Sequence, residues 1–205
     1  VQNIVEVNLA SARALGGATA VGNYSSAYVL HTAPILLIGT ALSTAIFPRL
    51  SARLSQGRPD LFRVDFLRVL KLIIWLTLPV IIVSFFARGY LARLIFSQNA
   101  PDIAVIFGFL SVAILFRTIF SIVSRWFYAQ KDTRTPLLVS IFIIGLNIFL
   151  AYTLSRPHAY GVAGLAIAQS IVAAVEVLIL GVIMFSRDRQ LFSQQFWSDI
   201  FKVVA

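Results

Sequence analysis

The feature that most limits how this chain folds is a series of long apolar stretches with almost no charge. Five stretches share this character: residues 24–48, 72–87, 103–124, 135–155 and 159–186. The only charges inside them are Arg117 and Glu176, and the shortest stretch reaches spanning length once Lys71 and Arg88 extend to the two membrane surfaces. A helix that crosses the hydrocarbon core needs about 20 such residues. The sequence therefore predicts an all-α, polytopic membrane helix bundle.

Composition agrees with this class and limits the chemistry. Hydrophobic residues make up 59% of the 205-residue chain and charged residues 12%, whereas about a quarter of a soluble domain is charged. The chain has no cysteine, which excludes thiol chemistry. His31 and His158 lie too far apart to suggest a metal motif, and Glu176 alone offers no paired carboxylates or nucleophile–base pair. We therefore predict a protein that is not an enzyme and uses no cofactor or metal.

The apolar stretches and their flanks predict the span boundaries. Complete spans are expected over residues 24–48, 69–92, 103–128, 135–155 and 159–186. A partial span is expected over 1–22, and the start of a further helix over 190–205. Met184 is the only methionine, so Val1 is not an initiator. We expect a piece of a larger membrane protein, incomplete at both ends.

Positive charge alternates from loop to loop and predicts the orientation. The connection over 49–71 contains six Lys or Arg residues, 88–102 two, 125–134 three and 155–160 one, and 187–202 is again basic. Because basic loops stay in the cytoplasm, we expect 49–71, 125–134 and 187–202 to be cytoplasmic. The net charge of +9 then serves orientation and contact with anionic membrane lipids, and we expect no nucleic-acid partner.

Arg117 and Glu176 are the strongest candidates for a functional role. A charge inside a span costs several kcal/mol unless it faces protein or water. Arg117 lies 14 residues after Ile103 and Glu176 lies 16 after Tyr160, which places both about 21–24 Å down their helices and allows them to pair. The functional alternative is an element of a cavity that responds to substrate, ions or protons, or a contact of Arg117 with an anion. The structural alternative is a static ion pair that holds two helices together.

Arg125 and Arg13 are further candidates of the same kind. Arg125 lies eight residues after Arg117, nearly on the same helical face. It either extends a cationic track towards the cytoplasm or reaches the lipid headgroups. Arg13 lies in the partial first span and is a candidate for lining an interface with the rest of the protein.

Several other residues of the spans are expected to serve packing. His31 faces an apolar helix and is expected to make a hydrogen bond there. Asn147 and Gln169 are expected to form hydrogen bonds between helices. Gly161 and Gly164 permit helices to pack closely.

The segment RWFYAQKDTRTP, residues 125–136, interrupts the apolar pattern and predicts a turn at the membrane surface. We expect its aromatic residues 126–128 to anchor at the interface and Thr133 or Thr135 to cap the next helix. The mixed apolar and basic segment 52–70 is expected to form a short amphipathic helix on the cytoplasmic surface.

The order F-Y-A-x-x-D-x-x-T-P within this turn resembles a loop of the MurJ/MviN-type lipid II flippases. Three further segments resemble that family in the same order: TAPILLIGTALSTAIFPRLS (32–51), LPVIIVSFFARGYLARLIF (78–96) and YGVAGLAIAQS (160–170). The resemblance covers nearly the whole chain. It implies that residues 1–205 form the second lobe of a two-lobed transporter of the MOP/MATE-like superfamily.

The resemblance also implies a function in the bacterial cytoplasmic (inner) membrane. A flippase of this family would move lipid II, the undecaprenyl-pyrophosphate-linked peptidoglycan precursor, by alternating access between two lobes around a cationic cavity. Its partners would be this lipid-linked anionic substrate, membrane lipids and the first lobe of the same polypeptide. Where most members carry an arginine taken to contact the pyrophosphate, this chain reads Ala27-Tyr28-Val29.

Two other functions are compatible with the same architecture. One is an exporter of polysaccharides or lipid-linked oligosaccharides from the same superfamily. The other is a membrane anchor or interaction module that keeps the fold without transporting.

Overall fold

The computed structural model describes residues 17–96, 98–155 and 160–188, which form helices joined by short turns. The elements are α1 (Gly17–Pro34), a π-helical segment (Ile35–Thr40), α2 (Ala41–Ser55), α3 (Pro59–Phe86), α4 (Arg88–Ile95), α5 (Ala100–Ala129), α6 (Arg134–Leu154) and α7 (Val162–Arg187). Arg13 and the further helix over 190–205 lie outside the described residues. So does most of the partial span over 1–22, whose last residues belong to α1.

Five helices of the described part are long and apolar enough to cross a membrane. The first is continuous over 39 residues, Gly17–Ser55, and comprises α1, the π-helical segment and α2. The others are α3, α5, α6 and α7. Between residue 17 and residue 188, the described ranges contain no strand. The predicted all-α membrane bundle is confirmed.

Helix α5 lies at the centre of the bundle and contacts every other helix that the structure describes. Its buried residues extend from Ala100 to Phe127, as expected of a helix that other helices surround. Its first half, including Phe107 and Leu110, belongs to one buried apolar cluster. Its last turns, including Ile122 and Phe127, belong to a second cluster. Arg117 lies between the two clusters, so the bundle has a polar layer at mid-length.

The first long helix changes to π-helical geometry over Ile35–Thr40, directly after Pro34. Proline has no N–H group for the helical ladder, which accounts for a local irregularity. Within this segment Gly39 lies against α5. A β-carbon at this position would come within 2.9 Å of Ser121 Oγ and 3.0 Å of Thr118 Cα. The absence of a side chain at Gly39 therefore sets how closely the first helix approaches α5.

Two aromatic residues of the predicted surface turn are not interface anchors. Trp126 and Phe127 are 1% and 0% exposed and belong to the second apolar cluster. The Trp126 ring centre lies 6.3 Å from that of Phe62 and 4.9 Å from that of Phe127. The prediction was wrong for these two residues because they occupy the last turns of the central helix, which neighbouring helices cover.

The amphipathic surface helix predicted over 52–70 is also wrong. Residues 52–55 complete α2, and after a turn at Gly57 (φ +69°) residues 59–70 begin α3. Phe62 and Phe66 are buried in the second apolar cluster. The apolar face of this segment therefore packs on protein rather than on lipid.

The span predicted over 69–92 is interrupted in the structure. Helix α3 ends at Phe86, and α4 begins at Arg88 as a separate short helix. Arg88 Nη1 donates a hydrogen bond to the Phe85 carbonyl at 2.8 Å, and its guanidinium carbon lies 4.8 Å from the centre of the Phe85 ring. These contacts satisfy a carbonyl that the end of α3 leaves without a helical partner.

Asp132 organises the turn between α5 and α6. Its Oδ1 accepts hydrogen bonds from the N–H groups of Arg134 and Thr135, both at 3.1 Å, and its Oδ2 accepts one from the Thr135 hydroxyl at 2.7 Å. Thr133 makes no capping hydrogen bond, so Asp132 caps α6. The hydrogen bonds from Thr135, together with the Arg187 guanidinium, lower the pKa of Asp132 to about 2. The cap is therefore ionised at neutral pH.

Candidate functional site

Arg117 on α5 and Glu176 on α7 form an ion pair in the polar layer. Arg117 Nη1 donates to Glu176 Oε2 at 3.0 Å. The other carboxylate oxygen, Oε1, accepts a hydrogen bond from the Ser140 hydroxyl on α6 at 3.0 Å. The side chain of Glu176 is 3% exposed and that of Arg117 is 18% exposed. The pairing expected from equal depth is present, and the carboxylate joins three helices.

Arg117 also lines a cavity between the first long helix and α5. The cavity has a volume of about 410 Å³. Most of its lining residues carry a hydrogen-bonding side chain, among them Arg117, Arg125, His31, Thr40, Ser121 and Ser124. No Asp or Glu occurs among the lining residues that the structure describes. Because a low dielectric strengthens the field of a guanidinium group, the cavity favours an anionic group.

Arg125 lies two turns after Arg117 and faces the same cavity. Its Nη2 donates to Thr44 Oγ1 at 3.3 Å, and its guanidinium carbon lies 5.5 Å from the centre of the Phe47 ring. Both partners are on α2, across the cavity from α5. The structure therefore brings Arg117 and Arg125 to one cavity, with Glu176 directly behind Arg117.

His31 also lies in the cavity wall, but its surroundings differ from the prediction. The residue is 2% exposed, and its ring centre lies 5.4 Å from that of Tyr28. Neither ring nitrogen has a hydrogen-bond partner among the described atoms. The predicted hydrogen bond is thus not made to any described residue, because α1 places the imidazole beside an aromatic ring.

Helices α6 and α7 share a second polar contact. Asn147 Nδ2 donates to Gln169 Oε1 at 3.1 Å, as expected from the sequence, and Gln169 also lines the cavity. Within the ranges that the structure describes, no group of three His, Asp or Glu side chains could hold a metal ion.

Ion pairs connect the helix ends on the side that the sequence assigns to the cytoplasm. They join Arg49 and Arg53 to Asp65, Arg63 to Asp188, and Arg187 to Asp132. The Arg187 guanidinium carbon also lies 5.5 Å from the centre of the Phe127 ring. Several basic residues that the sequence assigns to orientation and lipid contact therefore also hold α2, α3, α7 and the α5–α6 turn together.

Sequence reasoning missed the hydroxyl groups of the site. Ser121 and Ser124 lie four and seven residues after Arg117, a spacing that places them on the arginine face of α5 and that could have pointed to them. Ser140 has no such signal, because its contact with Glu176 depends on how α6 packs against α7.

The fold and the site define a polytopic helical membrane protein with a buried ion pair beside an arginine-lined cavity. Residues 1–205 match the family model described as "Lipid II flippase MurJ". The chain therefore belongs to this family.

Individual relatives agree with the family match. The chain is similar to the "Probable lipid II flippase MurJ" of Rhizobium meliloti (strain 1021), with 27% identity over 183 residues, 86% of this chain and 33% of that protein. It is similar to the protein of the same name from Thermotoga maritima, with 28% identity over 181 residues, 83% of this chain and 35% of that protein. The chain thus spans about a third of the length of these relatives.

A solved structure shares the fold. The structure described as "Lipid II flippase MurJ, inward closed conformation" matches with a TM-score of 0.70 and 23% identity, over 78% of this chain and 34% of that one. At this identity the likeness concerns the fold alone. It agrees with the predicted all-α membrane helix bundle.

Proposed function

We propose that this chain forms the second lobe of a flippase that moves lipid II, an undecaprenyl-pyrophosphate-linked peptidoglycan precursor, across the bacterial cytoplasmic membrane by alternating access. The observation that carries the proposal is the arginine-lined cavity in a chain of the lipid II flippase MurJ family. The role of such a protein is transport rather than catalysis, and peptidoglycan synthesis and cell shape would depend on it.

The chemistry of the cavity suits a pyrophosphate group. Guanidinium groups bind phosphate oxygens through paired, charge-assisted hydrogen bonds, and hydroxyl groups add further donors. At an effective dielectric constant of about 20, two opposite charges about 4 Å apart attract by roughly 4 kcal/mol. Arg117 is partly neutralised by Glu176, so Arg125, whose contacts with Thr44 and Phe47 are with uncharged groups, supplies much of the attraction.

The cavity is lined in part by the stretch in which this chain lacks the arginine that most family members carry. Tyr28, in the Ala27-Tyr28-Val29 stretch, lines this cavity opposite α5. We infer that α5, through Arg117 and Arg125, supplies the positive charge that α1 lacks in this chain.

The exposed apolar surfaces of the lobe indicate its remaining partners, membrane lipids and the first lobe. Helix α6 exposes large apolar side chains, including Leu138 and Phe149, which are 65% and 64% exposed. Membrane lipids or another lobe would cover such surfaces. We propose that the first lobe, part of the length of the relatives that this chain does not cover, forms the opposite wall of the transport path.

We propose that residues 49–71, 125–134 and 187–202 face the cytoplasm, because the basic loops alternate with loops that are poor in Lys and Arg. The orientation is tested with single cysteines in a cysteine-free version of the whole polypeptide. Arg58 directly precedes α3 and Gln98 lies two residues before α5, and both are exposed. The predicted orientation places Arg58 in the cytoplasm and Gln98 on the opposite side of the membrane. In intact spheroplasts, an impermeant maleimide is expected to label Gln98→Cys and to leave Arg58→Cys unlabelled. The reverse pattern would show that the assignment is inverted.

Occupancy of the cavity by the lipid is tested at Ser121. This residue lines the cavity, and its hydroxyl donates locally, to the Thr118 carbonyl at 2.7 Å. Because Ser121 Oγ also packs close to Gly39, size-exclusion chromatography first checks that Ser121→Cys is folded. A water-soluble maleimide is applied to the purified polypeptide in nanodiscs. Lipid II at about ten times its Kd should slow labelling of Ser121→Cys by about tenfold.

Ser186→Cys is the matched control for this experiment. Ser186 makes the same kind of local hydrogen bond, to the Ile183 carbonyl at 2.7 Å, but it is exposed at the end of α7, away from the cavity. Its labelling rate should not change with lipid II. Equal slowing at both cysteines, or slowing at neither, would count against binding of lipid II in this cavity.

A further inference from the structure

The Arg117 guanidinium group can bind an anionic partner on either of two sides. On one side it pairs with Glu176 at 3.0 Å, and on the other it lines the cavity with 18% of its side chain exposed. Glu176 is not accessible from the cavity, since its side chain is 3% exposed and does not line the cavity. An anion that enters the cavity therefore meets Arg117 but cannot reach Glu176.

The two partners of Glu176 determine how it responds when Arg117 is engaged elsewhere. Burying a carboxylate without a cation is unfavourable, and such a group becomes neutral instead. Ser140 fits both forms, because a hydroxyl donates to a carboxylate and accepts from a carboxylic acid. The surroundings of Glu176 can thus hold a proton without a change of helix packing.

We propose that Arg117 exchanges partners. When an oxyanion of the phosphate class binds in the cavity, the Arg117 guanidinium group pairs with it instead of with Glu176, and Glu176 then takes up one proton. The proton comes from bulk water and forms one O–H bond on the carboxylate, and it returns to water when the anion leaves. This inference rests on the proposed function for the identity of the anion. It adds that binding of the anion is linked to protonation.

Other charged or titratable groups lie in the same polar layer. Arg117 reaches Glu176 from α5 and Ser140 reaches it from α6. His31 on α1 and Arg125 on α5 face the cavity that Arg117 lines. Among the described residues of that cavity wall, His31 is the group whose own titration could be mistaken for that of Glu176. The infrared and proton-uptake measurements are therefore repeated with His31→Gln, in which proton uptake should persist.

The first arm of the test needs no ligand. In the whole polypeptide carrying Arg117→Gln, the infrared band of a protonated carboxylic acid should appear at neutral pH and should be missing in the double variant R117Q/E176Q. Arg93→Gln, which removes one exposed positive charge from α4, should show no such band. Failure to detect the band in R117Q would overturn the proposal. If R117Q does not accumulate, the second arm decides.

The second arm measures protons directly. The wild-type protein in phosphatidylcholine nanodiscs is titrated with inorganic pyrophosphate, or separately with lipid II, in weak buffer with a pH indicator. About one proton should be taken up per anion bound, and Glu176→Gln should bind the anion without uptake. Binding without uptake by the wild type would overturn the partner exchange and leave the proposed function intact.

The two sources of the oxyanion give separate outcomes. Uptake with lipid II supports both the partner exchange and the proposed function. Uptake with pyrophosphate alone would support the exchange but assign the cavity to soluble anions, against the proposed function. Binding of neither ligand would contradict both proposals.

Discussion

Reversing the charge of Arg117 or of Glu176 alone is expected to abolish transport by the whole protein. Either reversal, Arg117→Glu or Glu176→Arg, replaces an ion pair at 3.0 Å by two like charges in a layer where Glu176 is 3% exposed. Breaking a buried pair costs about 3–5 kcal/mol, and repulsion between the like charges adds to this. Transport of lipid II in proteoliposomes measures activity, and size-exclusion chromatography measures the amount of folded protein.

The double variant R117E/E176R separates a cavity role from a purely structural one. It restores an ion pair, so the amount of folded protein should recover. Transport should not recover, because the cavity would then present a carboxylate to an anionic substrate. Recovery of transport together with folding would show that the pair serves only to hold α5 and α7 together. Wild-type folding and transport in both single reversals would contradict either role.

Arg93→Glu is the control for the change in net charge. Arg93 is exposed on α4 and does not line the cavity. Its reversal changes the total charge as much as Arg117→Glu does. Transport should stay within the variation seen between wild-type preparations.

Gly164→Ala is expected to lower the stability of the bundle more than other glycine-to-alanine changes in α7. A β-carbon at Gly164 would overlap the carbonyl oxygen of Leu154 and lie 3.0 Å from Ser155 N. These are backbone atoms at the end of α6, so no rotamer change relieves the contact, and the two helices must move apart. Overpacking of this kind costs about 1–3 kcal/mol. The measurement is the melting temperature of the purified whole polypeptide.

Gly181→Ala on the same helix is the matched control. A β-carbon there would meet no described atom within 4 Å. Alanine is favoured over glycine inside a helix by about 1 kcal/mol, so the melting temperature should stay the same or rise. Equal melting temperatures for the two variants would show that α6 and α7 do not approach at Gly164 as closely as the structure indicates.

Much of the architecture could be predicted because membrane spans depend on local sequence. Uncharged stretches such as 135–155 are long enough to cross the hydrocarbon core, and this property does not depend on partners. The pairing of Arg117 with Glu176 was also predictable, since both are costly charges at similar depth. The hydrogen bond between Asn147 and Gln169 follows from the same reasoning.

The remaining features depend on which helix faces which neighbour. Trp126 has the composition and position of an interface anchor, but it is buried because α5 is the central helix. Asp132 outcompetes the threonines as a cap because its carboxylate reaches two N–H groups and also Arg187. Ser140 joins the site only through the packing of α6 on α7. Sequence periodicity carries no information about such contacts between distant segments.

The most direct test of the account is the rate at which the whole polypeptide, reconstituted in phosphatidylcholine liposomes, moves lipid II between leaflets. We predict faster movement than in protein-free liposomes. We further predict that Arg125→Gln slows it by about tenfold, the effect of losing one charge-assisted contact worth about 1.4 kcal/mol, whereas Arg93→Gln does not. No acceleration over protein-free liposomes, or equal rates for R125Q and R93Q, would contradict the assignment of the arginine-lined cavity to lipid transport.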